Sequence, residues 1–205
     1  MTGEHHPDYT AQEALDRLKQ GNERFVGGTA RFPTVQKEVL AELAKGQHPF
    51  ATILGCSDSR VPPELLFDAG FGELFVVRVA GNVLGSEIQG TLQYAGMHLR
   101  TPLFVVLGHE GCGAVEAAIE ERFHGVAHRS RIALVLREIT PALDGLDTTA
   151  PRDAQLERAV VANVRETVRR LRESPELKAR VDAGEDRRVE GAVVELATGC
   201  VRFLD

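Results

Sequence analysis

Three short apolar runs constrain this chain more than any other feature: Phe50 to Leu54, Glu73 to Val79 (ELFVVRV) and Leu103 to Leu107 (LFVVL). The first is bounded by Pro49 and Gly55, and all three are of strand length. Because their apolarity is continuous rather than alternating, both faces of each strand must be covered. Helical patterns separate the runs, Ser86 to Leu99 being the clearest connector. Such alternation builds parallel βαβ units instead of a sandwich or barrel. The predicted fold is α/β, a single domain with a central, mostly parallel β-sheet flanked by helices.

Ahead of the first strand, Thr10 and Glu13 form a capping-box start, and Ala14, Leu15, Leu18 and Phe25 recur near helical spacing until Gly27 and Gly28. A second helical pattern runs from Thr34 to Lys45 and ends at Gly46. Residues 10–48 thus read as a helical arm, residues 49–205 as the α/β core, and residues 1–9 as a flexible terminus. Beyond the third strand, helices are expected at about 113–123 and 130–143, then a loop rich in Pro, Gly and Asp around 141–153. Leu156, Val160, Val164, Val168 and Leu171 mark the face of a further helix. Its Arg165, Arg169, Arg170 and Arg172 alternate with Glu166 and Glu173, which reads as a solvated face. Two strands, Val189 to Leu196 and Val201 to Leu204, joined by the Thr198-Gly199 turn, close the domain.

The 205 residues are 43% hydrophobic, enough for a core without disulfide staples. Acidic residues outnumber basic ones by 30 to 24, so there is no global field for a polyphosphate, and nucleic acid is not an expected partner. The apolar runs fall far short of the roughly 20 residues that span a bilayer. The start MTGEHHPDYT lacks the basic and apolar stretches of a secretory signal, so a cytoplasmic location is expected. Three cysteines, Cys56, Cys112 and Cys200, do not make a disulfide framework and leave thiols available as ligands.

Two segments share one construction, an apolar strand, a glycine and a metal-capable side chain: Ile53-Leu54-Gly55-Cys56 and Val106-Leu107-Gly108-His109. Both ligands leave a strand at its carboxyl end, where open parallel sheets form their binding crevice. Cys112 follows His109 by three, so both can point into one site as the chain turns into a helix. Two thiolates and an imidazole suit Zn²⁺ and leave a fourth tetrahedral position open. In Cys56-Ser57-Asp58-Ser59-Arg60, a carboxylate beside that position is costly unless paired, and Arg60 is the obvious partner.

These motifs, CxDxR as Cys56-Ser57-Asp58-Ser59-Arg60 and HxxC as His109-Glu110-Gly111-Cys112, resemble those of the beta class of carbonic anhydrases. ELFVVRVAGN at 73–82, Tyr94 and Gly113 are also similar, and the likeness covers about residues 12–204. The resemblance implies one Zn²⁺ per subunit on Cys56, His109 and Cys112, with Asp58 and Arg60 as a catalytic dyad. It further implies reversible hydration of CO₂ to bicarbonate and a proton. Zinc lowers the pKa of a bound water to about 7, which supplies hydroxide at neutral pH. Asp58, ionised by Arg60, can accept the hydroxide's hydrogen bond and orient it.

Gln47, Phe75 and Tyr94 match substrate-pocket residues of the plant-like subgroup, and Gly113 is placed to offer a backbone N–H to substrate. The expected site is open, with Asp58 paired to Arg60 and off the metal. In a second subgroup a regulatory bicarbonate pocket uses an arginine, matched here by Arg78, and a tryptophan, whose place Ile53 takes. The family also implies homodimers or dimers of dimers, with the N-terminal helix across the neighbour and Gln47 crossing over, although the stripe of residues 14–25 could equally cover its own chain. Rival readings are a carbonyl sulfide or carbon disulfide hydrolase on the same scaffold, a closed structural zinc site completed by Cys200, and a Cys-His thiol hydrolase.

Overall fold

The computed structural model describes residues 9–31 and 37–205, and the side chains of 37 and 38 are outside the description. The reading of residues 1–9 as flexible therefore lies, Tyr9 apart, outside the described residues, as do positions 34–36 of the second helical pattern. Tyr9 itself packs on Phe50, with 5.8 Å between ring centres.

The apolar runs are strands of one five-stranded sheet, in the order β2-β1-β3-β4-β5. β1 (Ala51–Gly55), β2 (Leu74–Arg78), β3 (Leu103–His109) and β4 (Arg188–Val194) are parallel, and β5 (Val201–Leu204) returns antiparallel to β4. Every residue of β1 and β3 is buried, as continuous apolarity requires of strands covered on both faces. β2, at the edge, is only partly covered. Burying a side chain such as Ile53 or Leu54 stabilises the fold by about 1.5–3 kcal/mol.

Helix α1 (Ala11–Val26) starts at Thr10, whose side chain and that of Glu13 complete the capping box. The apolar stripe is covered within the chain: Ala14, Leu15 and Leu18 are buried in its own core. Asn22 fixes the helix there, its Nδ2 donating to the carbonyls of Leu66 (3.0 Å) and Gly199 (2.9 Å) while its Oδ1 accepts from Val201 N (2.8 Å). α2 (Lys37–Leu43) ends two residues before its sequence pattern does, and a one-turn helix α3 (Pro63–Leu66) follows β1.

The connector is α4 (Ser86–Tyr94), which widens into a π-helical turn at Ala95–Leu99. α5 (Gly113–His124) follows β3, and the pattern at 130–143 divides into α6 (Ile132–Ile139) and a 3₁₀ turn, Thr140–Leu143, because Pro141 cannot donate to the helix. α7 (Arg152–Arg172) is longer than its apolar stripe, and α8 (Pro175–Asp182), capped by Ser174, was not visible in the sequence pattern. Arg169 does lie on a solvated face, between Glu166 and Glu173. Arg170 and Arg172 instead reach back into the domain, to the carbonyls of Leu84 and Val189. Among the described residues no helix is long and apolar enough to cross a membrane.

Candidate metal centre

Strand register brings the two ligand segments level. Gly55 at the end of β1 pairs with Leu107, two residues before His109 ends β3. The chain therefore leaves β1 at Cys56 beside the place where it leaves β3 at His109. Between His109 and Cys112, Gly111 takes a left-handed conformation (φ 60°), which glycine adopts without strain, and the turn makes Cys112 the N-cap of α5.

One sulfur from each cysteine and one imidazole nitrogen lie within 4.8 Å of one another, and all three residues are buried. His109 Nδ1 stands 2.8 Å from the Glu110 carbonyl oxygen. A carbonyl only accepts, so Nδ1 carries a proton, and Nε2 is the nitrogen left to face the sulfurs. That Nε2 is buried and has no hydrogen-bond partner.

The sulfurs are unequal. Cys56 is pushed down to about 4, first by a hydrogen bond from Cys112 and further by His109 and backbone N–H groups, against the opposing effect of burial. Cys112 is pushed up, because it donates to that thiolate, is buried and would face a second negative charge. Burial by itself would lower the pKa of His109, but the Cys56 thiolate outweighs it and raises it. Without a cation the pair thus holds one negative charge, and a dication would let both sulfurs ionise while engaging the orphaned Nε2. The donor set, two sulfurs and one nitrogen, matches zinc chemistry, so the residues present fit that metal.

Asp58 stands beside this cluster. Its Oδ1 accepts from Arg60 N (3.0 Å) and Nε (2.9 Å), and its Oδ2 accepts from Arg60 Nη2 (2.7 Å). These bonds hold the carboxyl well below the usual carboxylate range. Oδ2 is 3.9 Å from His109 Nε2, so the carboxylate faces the ligands while remaining tied to Arg60.

A comparison with known proteins decides the family. The carbonic anhydrase family profile matches residues 51–201, which include all three ligand positions. The chain belongs to the carbonic anhydrase family, in its beta class. It is similar to carbonic anhydrase 2 of Mycobacterium tuberculosis, 43% identical over 137 residues, a match spanning 67% of this chain and 66% of that relative. With the carbonic anhydrase of Mycolicibacterium smegmatis it shares 36% identity over 202 residues, 96% of this chain and 95% of the relative. The solved Coccomyxa beta-carbonic anhydrase in complex with acetazolamide superposes with a TM-score of 0.75 at 27% identity, covering 93% of this chain and 86% of that one. Beta-carbonic anhydrases use zinc, in keeping with the cluster.

The remaining candidates fall into two groups. Gly113 opens α5 beside Cys112, with open space where a Cβ would stand. Gln47 is exposed ahead of β1, and Phe75 pairs with Thr52, four residues before Cys56 and about 13 Å along the strand. Tyr94 is largely exposed, with its ring centre 6.2 Å from that of Phe75. These three therefore stand toward the amino ends of the strands, away from their own chain's cluster. Cys200 is exposed in the β4–β5 turn and takes no part in the cluster, which removes the closed four-ligand site.

Arg78 has a role that sequence reasoning missed. Its Nε donates to the Cys56 carbonyl (2.9 Å) and its Nη2 to the Asp58 carbonyl (2.5 Å). It is thereby committed to fixing the Cys56–Asp58 loop instead of facing an anion pocket. The signal available was its position at the end of β2, in register with Gly55.

Proposed function

We propose that this chain catalyses the reversible hydration of CO₂ to bicarbonate and a proton, with one zinc held by Cys56, His109 and Cys112. The observation that carries the reading is the buried, unpartnered His109 Nε2 among two sulfurs, with the Arg60-bound Asp58 3.9 Å away. When bound, zinc supplies an acidified water, so that hydroxide is available at neutral pH. Asp58 acts only as an acceptor, because Arg60 keeps it ionised. It takes the hydrogen bond of the nucleophile and holds it with a lone pair directed at carbon. Arg78 keeps the Asp58 loop from shifting, and Gly113 leaves room and a first-turn N–H for a substrate oxygen.

The substrate pocket is completed by a second copy in this reading. β2 leaves its outer edge without a partner strand in the described chain, a condition that proteins usually cover. Two such edges paired antiparallel about a two-fold axis would bring the amino-end residues Gln47, Phe75 and Tyr94 of each chain toward the other's carboxyl-end cluster. That geometry supports a homodimer, alone or paired again. A reducing compartment such as the cytoplasm would keep the ligand thiols available.

Zinc content and stopped-flow CO₂ hydration, on wild type and Asp58→Ala, test the reading. One zinc per chain, fast hydration and a variant that keeps zinc but loses most of its rate are the expected results. Zinc without CO₂ hydration, accompanied by H₂S release from carbonyl sulfide, would replace it with the sulfur-substrate enzyme.

A further inference from the structure

The turn after β2, Ala80–Asn82, carries a connection from helix α7 to the metal cluster. Gly81 has left-handed backbone angles (φ 67°, ψ 18°), and its N–H donates to Cys56 Sγ at 3.4 Å. On the other side of the same residue, the Gly81 carbonyl accepts from Asn163 Nδ2 at 2.8 Å. Asn163 is only 2% exposed and lies on the buried face of α7 with Ala159, Val160 and Val164. A buried amide in an apolar helix face is unfavourable unless it is hydrogen-bonded, so its presence needs a structural or functional return. A Cβ on Gly81 would stand 2.8 Å from Ile139 Cδ1 and 3.2 Å from Ala114 Cβ, so the turn is packed on two further sides.

We propose that Asn163 is a positioning residue for the metal centre. By clamping the Gly81 carbonyl it keeps the Gly81 N–H directed at the Cys56 sulfur, and that hydrogen bond draws electron density from the thiolate. The inference rests on the zinc reading of the site. Its consequence there is chemical: two thiolates donate more charge than imidazoles would and weaken the metal as a Lewis acid, and an N–H on one sulfur offsets part of that donation. Such outer contacts orient ligands and tune the metal they hold, and losing one typically costs about 10–100-fold in metal affinity or activity.

The test uses cobalt(II) as a spectroscopic replacement for zinc, in wild type, Asn163→Leu and Val168→Ala. Leucine keeps the branched shape of the amide and removes the donor. Val168 is buried on the same helix but packs toward Gly191, so its truncation controls for general loss of packing. Asn163→Leu is expected to move the thiolate-to-cobalt charge-transfer band to lower energy and to weaken cobalt affinity about 10-fold. Val168→Ala is expected to leave the band in place. A band and an affinity in Asn163→Leu equal to those of the Val168→Ala control would overturn the proposal.

Should the leucine variant not fold, the wild type supplies a second measurement. With a spin-half cadmium isotope in the site, a scalar coupling between the Gly81 amide proton and the metal through Cys56 Sγ is expected, and its absence in a loaded protein counts against the hydrogen bond. Failure of the wild type to take up cobalt or cadmium with thiolate character would instead strike the zinc reading itself.

Discussion

Two buried clusters arise from the segment that leaves β1, and they differ in whether their charges are answered from within the chain. Asp68, with its side chain fully buried, accepts from Arg24 Nε (2.6 Å), Arg31 Nε (3.0 Å) and the Arg31 backbone N–H (2.8 Å). Its own carbonyl accepts from Arg31 Nη2 (3.1 Å). Among the described residues this carboxylate is met by two guanidiniums, so its charge is answered. The cluster of Cys56, His109 and Cys112 leaves Nε2 without a partner and allows the sulfurs one negative charge between them. Burial alone thus does not separate scaffold from chemistry. An unpartnered nitrogen enclosed with two sulfurs does.

The strongest way to break the contrast is to remove a ligand. Cys112→Ala changes little volume, so the fold should persist while the bound zinc and the CO₂ hydration above buffer rate both vanish, as metal analysis and stopped flow would show. Retention of stoichiometric zinc would mean that the cluster is not the metal site. Asp58→Asn should lower kcat by about 10²–10³-fold, the usual cost of losing one preorganised polar group at reacting atoms. Zinc content should stay at the wild-type value, since Asp58 is tied to Arg60 and not to the metal. A variant that loses zinc instead would make Asp58 a ligand.

On the answered side, Asp68→Asn should act on stability and not on chemistry. Losing charge-assisted bonds in a buried setting costs about 2–3 kcal/mol. For a chain of this length that is a fall in Tm of roughly 4–12 °C. Well below the transition, kcat and zinc content should match wild type. A parallel fall in kcat would erase the distinction between the two clusters.

The unanswered cluster was legible in the sequence and the answered one was not. Strand, glycine and ligand recur at Gly55-Cys56 and Gly108-His109, and parallel register brings such ends level, so local text is enough. Asp68 sits in an FDAG stretch that reads as a turn, and its partners Arg24 and Arg31 are far away in sequence and belong to another pattern. The same limit hid Asn163, which breaks an apolar helix face without any local cue to the Gly81 carbonyl it meets. The apolar stripe of α1 showed that the helix needs a surface, whereas the covering by its own chain depends on packing and on Asn22. Arg78 was legible as a residue but not in its role, because its partners are backbone carbonyls that every residue has.

Acid should narrow the gap between wild type and Asp68→Asn. Burial by itself would raise the Asp68 pKa, but hydrogen bonds from Arg24 and Arg31 outweigh it and hold the folded value below the ordinary one. A group lowered in the folded state contributes stability that is fully present above its unfolded pKa, about 3.9. That contribution shrinks as pH falls below this value toward the lower, folded one. Denaturant titrations from pH 7 down to about 3 should show the two proteins converging only below about pH 4. Acid also protonates the ligand cysteines, but that loss is common to both proteins and cancels in the difference.

The smallest effect separates the two arginines. Arg24, with a side chain 29% exposed, closes the last turn of α1, where a cation also complements the helix dipole. Arg31 is 56% exposed, and its backbone N–H would still donate to Asp68 Oδ1 after truncation to alanine. Arg31→Ala should therefore cost under about 1 kcal/mol, as for other exposed ion pairs, and Arg24→Ala more. Raising the salt concentration should weaken the wild-type advantage over Arg31→Ala first, since screening acts on the more exposed charge. Equal costs would mean that exposure does not rank the two guanidiniums in this cluster.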